Sequence, residues 1–118
     1  MARPTVLIVD DHEAFRVAAR SLLESEGFAI VGEAEDGRDA LTEAERLRPD
    51  VVLLDIQLPD IDGFTLANRL ATTAAAPDVV LISSREATTY GARLTNSPAR
   101  GFLAKRELSG AALARLLA

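Results

Sequence analysis

Three short apolar runs each stop at a polar group: Val6-Leu7-Ile8-Val9 at Asp10-Asp11, Val51-Val52-Leu53-Leu54 at Asp55, and Val79-Val80-Leu81-Ile82 at Ser83. A fourth, weaker run, Gly101-Phe102-Leu103-Ala104, stops at Lys105. Continuous apolar runs of this length, separated by stretches with helical spacing, mark parallel strands buried on both faces. Strands alternating with helices imply right-handed crossovers and an α/β layer structure. In an open parallel sheet the ligand site lies beyond the carboxyl ends of the strands. Carboxylates, a hydroxyl and an ammonium, far apart in sequence, are therefore delivered to one edge.

The intervening stretches read as helices. Phe15, Ala18, Ala19, Leu22 and Leu23 recur at helical spacing, and Gly27 can close that helix in a left-handed conformation. Phe28 to Gly32 gives a shorter second strand, and Asp36-Gly37 turns into a helix carrying Ala40, Leu41, Ala44 and Leu47. Pro49 ends it by disfavouring helical geometry at Arg48. After a polar loop from Gln57 to Gly63, Asp62 is placed to cap a helix bearing Phe64, Ala67 and Leu70. The stretch from Ala87 to Asn96 is the weakest helix, because Thr88, Thr89 and Gly91 are poor helix formers. Ser109 can cap the last helix, with Leu108 and Leu113 as a hydrophobic staple and Leu113, Leu116 and Leu117 as its buried face. The expected strand order, 2-1-3-4-5, puts the aspartate-bearing ends of strands one and three at the topological switch point.

Composition narrows the function classes. A chain of 118 residues, 48% hydrophobic and 26% charged, fits one globular domain. No apolar run approaches the roughly 20 residues of a membrane helix, and Met1-Ala2-Arg3-Pro4-Thr5 offers no signal-peptide apolar region. The absence of cysteine excludes disulfides, thiol chemistry and thiolate zinc sites; a cytoplasmic location is the simplest expectation. A net charge of −5 without a basic cluster argues against direct nucleic-acid binding. The turn Asp10-Asp11-His12-Glu13 lacks the glycines of a nucleotide-binding loop.

The acidic edge has a chemistry of its own. Like-charged carboxylates about 4 Å apart cost about 4 kcal/mol at an effective dielectric near 20. A divalent cation removes that penalty, and oxygen-only ligands in a compact site suit Mg²⁺. A carboxylate can also act as a nucleophile toward a phosphoryl group. Asp55 is placed for that role, between the Asp10-Asp11 pair and the groups Ser83 and Lys105, which can neutralise phosphoryl oxygens. Taken alone, Lys105 reads as a solvated strand-end lysine and Ser83 as a turn residue; their significance comes from sharing an edge. His12, the only histidine, reads as a surface residue.

With these residues in place, the whole chain resembles the receiver domain of bacterial two-component response regulators, of flavodoxin-like (βα)5 architecture. The resemblance is carried by Val9-Asp10-Asp11-His12, Leu54-Asp55-Ile56-Gln57-Leu58-Pro59, Asp62-Gly63, Ile82-Ser83-Ser84 and Gly101-Phe102-Leu103-Ala104-Lys105. It implies that Asp55 accepts phosphate from the phosphohistidine of a sensor kinase. It also implies that Asp11, Asp55 and the Gln57 carbonyl bind Mg²⁺ directly, with Asp10 acting through water. Ser83 and Lys105 would contact the phosphoryl group, Phe102 would be the switch aromatic on strand five, and Gln57 and Arg85 would tune water access. The output surface would be helix four, strand five and helix five. It would act on an effector domain (none is expected within residues 1–118), on a downstream protein, or through a phosphorylation-dependent homodimer.

Two residues depart from the commonest pattern. Phe102 lacks the hydroxyl of a tyrosine, and Arg106 follows Lys105 where many receivers have proline, so a trans bond is expected there. Arg85 can pair with Glu86 or reach the phosphate. The competing functions are a receiver-like binding module that is not phosphorylated and an aspartate-nucleophile phosphatase, the latter disfavoured because the chain has no room for a substrate-enclosing cap.

Overall fold

The computed structural model describes residues 3–118; Met1 and Ala2, the start of the expected leader-free N-terminus, lie outside them. The elements are β1 (Thr5–Val9), α1 (Glu13–Ser25), β2 (Ala29–Ala34), α2 (Gly37–Leu47), β3 (Val51–Asp55), α3 (Gly63–Ala71), β4 (Asp78–Ser83), α4 (Ala92–Thr95), β5 (Gly101–Ala104) and α5 (Gly110–Leu117). The five strands form one parallel sheet in the order β2-β1-β3-β4-β5, as the sequence predicts. None of the described helices is long and apolar enough to cross a membrane.

Strand alternation sorts the apolar runs onto two faces. Leu7, Val9, Val52, Leu54, Val79 and Leu81 pack with α2 and α3 on one side. Val6, Ile8, Val51, Leu53, Val80 and Ile82 pack with α1 and α5 on the other. Both faces are covered, which is why these strands read as unbroken apolar runs rather than as alternation.

Register sets the site. Val9 pairs with Leu54, so Asp10 and Asp55 emerge side by side. Asp55 pairs with Ile82, and Ser83 with Ala104, so Ser83 and Lys105 leave the sheet one step further along.

Local signals account for most element ends. The Asp36, Asp62 and Ser109 side chains accept the backbone N–H of Asp39, Thr65 and Ala112, each capping the helix it precedes. The Leu108–Leu113 staple joins the α1/α5 core. Arg48, before Pro49, adopts a left-handed conformation with φ 47°. Gly63 has a specific reason to be glycine. A Cβ there would lie 2.6 Å from Ile56 Cα and 2.7 Å from the Asp55 carbonyl oxygen. The start of α3 can therefore press directly against the backbone that carries Asp55.

Two elements differ from expectation. The second strand runs over Ala29–Ala34 rather than from Phe28 to Gly32, because Glu33 and Ala34 continue the pairing with Ile8 and Val9. The expected helix from Ala87 to Asn96 breaks into a 3-10 turn at Ala87–Thr89 and a single α-turn at Ala92–Thr95. Between them Gly91 takes φ 52°, ψ −126°, a conformation costly for any residue with a Cβ. No cis peptide bond occurs among the described residues, so Lys105–Arg106 is trans as expected.

Candidate phosphoacceptor and metal site

β1 and β3 hold Asp10 and Asp55 at their carboxyl ends, and both carboxylates are almost wholly removed from water, at 0% and 3% exposure. Asp11, one residue on, is exposed. The Gln57 N–H donates to Asp55 Oδ1 at 3.1 Å, which fixes that carboxylate against the loop after β3. Lys105 reaches across from the end of β5. Its Nζ lies 2.6 Å from Asp10 Oδ2 and 3.4 Å from Asp55 Oδ2, and 4.6 Å from the centre of the Phe15 ring on α1. Burial pushes the Asp55 carboxyl above its ordinary pKa. The Gln57 N–H opposes that rise, the Asp10 charge adds to it, and the Lys105 ammonium opposes it.

The donor set suits a hard divalent cation. One ligand atom each from Asp10, Asp11, His12 and Asp55 falls within 4.8 Å of the others. Lys105 approaches Asp10 Oδ2 outside hydrogen-bonding geometry, and that oxygen is the buried side-chain polar atom without a hydrogen bond among the described residues. Its contact is the Lys105 ammonium, so a carboxylate oxygen keeps lone-pair capacity that a divalent cation could use. Three carboxylates beside one ammonium also leave a net charge that a divalent cation balances.

His12 is not simply solvated. Although its side chain is exposed, Nδ1 lies 3.1 Å from Asp10 Oδ1 and 3.1 Å from Asp11 Oδ1, and the His12 backbone N–H donates to Asp10 Oδ1 at 2.8 Å. Arg16, unremarked in the sequence, donates from Nη1 to the Asp10 carbonyl at 2.7 Å and from Nε to Glu33 at 3.0 Å.

The other expected residues divide. Ser83 is buried, but its Oγ shares a 2.6 Å hydrogen bond with the Tyr90 hydroxyl and accepts the Arg85 N–H at 3.0 Å. Phe102 is half-buried, its ring 6.0 Å from that of Tyr90. Gln57 and Arg85 are exposed. Glu86 pairs with Arg106 instead of Arg85, because Arg106, in place of a proline, carries a long cation back toward the loop after β4.

Sequence reasoning missed Tyr90 as the partner of Ser83, registering it only as part of a poor helix. Its signal was available: it is the chain's one tyrosine, seven residues beyond the hydroxyl it meets.

Residues 6–116 match the family described as the response regulator receiver domain. The chain belongs to that family. The signal receiver domain of NarL from Mycobacterium tuberculosis superposes on this receiver with a TM-score of 0.86 at 31% identity, over 99% of this chain and 98% of that one. The response regulator GacA of Pseudomonas viridiflava is 34% identical over 113 residues, which make up 95% of this chain and 51% of that protein. BvgA of Bordetella pertussis, named for positive regulation of virulence-factor transcription, is 38% identical over 102 residues, 86% of this chain and 49% of that protein. The receiver thus spans about half the length of these curated relatives.

Proposed function

We propose that this receiver is a phosphorylation switch in which Asp55 is the acceptor. The observation that carries the proposal is the placement of Asp55: a buried carboxylate at the end of β3, pinned by the Gln57 N–H and faced by the Lys105 ammonium. Transfer forms a bond between an Asp55 carboxylate oxygen and phosphorus and breaks the bond from phosphorus to the donor. With a sensor kinase as donor, the leaving group is a histidine ring nitrogen.

Asp10, Asp11, Asp55 and the Gln57 carbonyl would hold Mg²⁺, which supplies neutralisation of the phosphoryl oxygens when bound. Asp10 and Asp11 keep the site anionic enough to hold the cation. Lys105, already beside Asp55 Oδ2, offers a fixed positive charge to the incoming group. Gly63 and the Asp62 cap hold the α3 terminus against the backbone of Asp55, so the nucleophile does not drift. The added charge then biases the face formed by α4, β5 and α5 toward a second arrangement.

The output is a domain or partner that reads that face, including a second copy of the receiver. The relatives named for transcription regulation support a DNA-binding output outside this domain, since the net charge of −5 leaves the receiver unsuited to bind nucleic acid.

Incubation with acetyl phosphate is expected to add one phosphoryl group, detected by intact mass, only when Mg²⁺ is present. Asp55→Asn is expected to abolish the addition. An equal mass gain in that variant would remove Asp55 from the role.

A further inference from the structure

The hydroxyl of Ser83 is engaged by the loop that follows β4. It has one proton and two lone pairs, and it already serves the Arg85 N–H and the Tyr90 hydroxyl. Tyr90 is itself seated by its ring, edge-on to Phe64 of α3 with centroids 5.6 Å apart and tilted against Phe102 of β5 at 6.0 Å. The chain next to it is weakly built. Gly91 pivots at φ 52°, and α4 is a single turn, far below the length at which a helix holds itself. Of this segment, Tyr90 and Leu94 are the side chains that pack against the core.

We propose that Tyr90 is the latch on Ser83. In the unmodified chain it holds the hydroxyl off the acidic edge; a phosphoryl group on Asp55 draws Ser83 away from it and releases the segment from Ala87 to Asn96. The inference rests on Asp55 being the acceptor. A hydrogen bond from Ser83 to a charged phosphoryl oxygen is stronger than its neutral bond to a phenol. Ser83 directly follows Ile82, the register partner of Asp55, so the two groups leave the sheet close together. A half-buried phenol that has lost its partner favours an arrangement in which it reaches water. Phe102 has no hydroxyl with which to take over the bond. The aromatic that follows Ser83 is therefore assigned to the loop after β4, and Phe102 serves as the surface it leans on.

The test uses the whole chain. With one tyrosine and no tryptophan, its ultraviolet difference spectrum and tyrosine fluorescence report Tyr90 alone. Mg²⁺ with beryllofluoride, a phosphoryl mimic, is titrated while fluorine NMR follows the bound fluoride. The tyrosine signal is expected to shift in step with the bound resonance. Ser83→Ala should show a shifted tyrosine signal before any ligand is added, and Ser83→Thr should restore the wild-type response. Tyr90→Phe, which keeps the ring, should bind beryllofluoride about 2- to 10-fold more tightly, the range set by one net hydrogen bond. Bound fluoride with an unmoved tyrosine signal overturns the latch, as does unchanged or weaker binding by Tyr90→Phe. Absence of bound fluoride in the wild type instead overturns Asp55 as acceptor, and the latch with it.

Discussion

Every residue from Val6 to Asp10 and from Val51 to Ile56 is buried, whereas between Ser84 and Asn96 only Tyr90 and Leu94 are even half-covered. The first region is the middle of a sheet with helices on both faces, and it ends in the carboxylates. The second is a 3-10 turn, a glycine pivot and one turn of helix lying over the edge of the same sheet. The contrast separates two physical tasks. Charges crowded together must be held by something that does not yield, and burial of the strands supplies it. A segment that is to respond to a new charge must be held by little, and two side chains supply that.

The largest expected effect comes from removing the cation that faces the carboxylates of the rigid region. Lys105→Met leaves Asp10 and Asp55 facing each other with no ammonium between them. Breaking a buried pair from one side costs about 3–5 kcal/mol. Urea denaturation should show that loss in chelator, and saturating Mg²⁺ should recover part of it. An unchanged midpoint would mean that the acidic edge is not electrostatically confined.

A matched pair of truncations sets the two regions side by side. Leu54→Ala, in a fully buried position, is expected to cost about 2–5 kcal/mol. Leu94→Ala, half-covered on α4, is expected to cost under about 1.5 kcal/mol, in line with burial of only part of a leucine. Equal losses would erase the distinction between the regions.

Gly63→Ala probes how tightly α3 presses on the backbone of Asp55. A methyl group 2.6 Å from Ile56 Cα cannot be accommodated by turning a side chain. Overpacking of this kind costs about 1–3 kcal/mol, and it should also slow phosphorylation by acetyl phosphate by displacing the acceptor.

The smallest effect belongs to pH. Asp60 accepts the N–H groups of Gly37 at 2.8 Å and Arg38 at 3.0 Å, and the Gly37 bond is the main cause of its lowered pKa. A lowered carboxyl pKa contributes stability above the unfolded value of about 3.9, and that contribution is lost as pH falls through the folded value. Asp60→Asn should therefore narrow the stability difference between neutral and acid pH, slightly, because the group is exposed.

These contrasts also explain how far the residues could be read. Apolar runs gave away β1, β3 and β4 because strands buried on two faces need no polar alternation, and Asp62 and Ser109 announced their helices through local capping chemistry. Gly32 hid the second half of β2, since a glycine looks like a strand end. In fact it lies under Leu47, whose Cδ1 would sit 2.6 Å from any added Cβ. Asp10, Asp55 and Lys105 came together because Asp55 ends its strand, Asp10 and Lys105 directly follow theirs, and register does the rest. The Ser83–Tyr90 bond, the Asp60 contacts with α2 and the Glu86–Arg106 pair did not show, since each depends on how loops pack rather than on what neighbours in sequence prefer.

Hydrogen exchange followed by mass spectrometry, with and without Mg²⁺ and beryllofluoride, tests the central division most directly. Amides of β1 and β3 should exchange slowly in both states, while those between Ala87 and Asn96 should exchange fast and change their rate when the mimic binds. A uniform change across the sheet, or bound mimic with no change in that segment, would contradict the account.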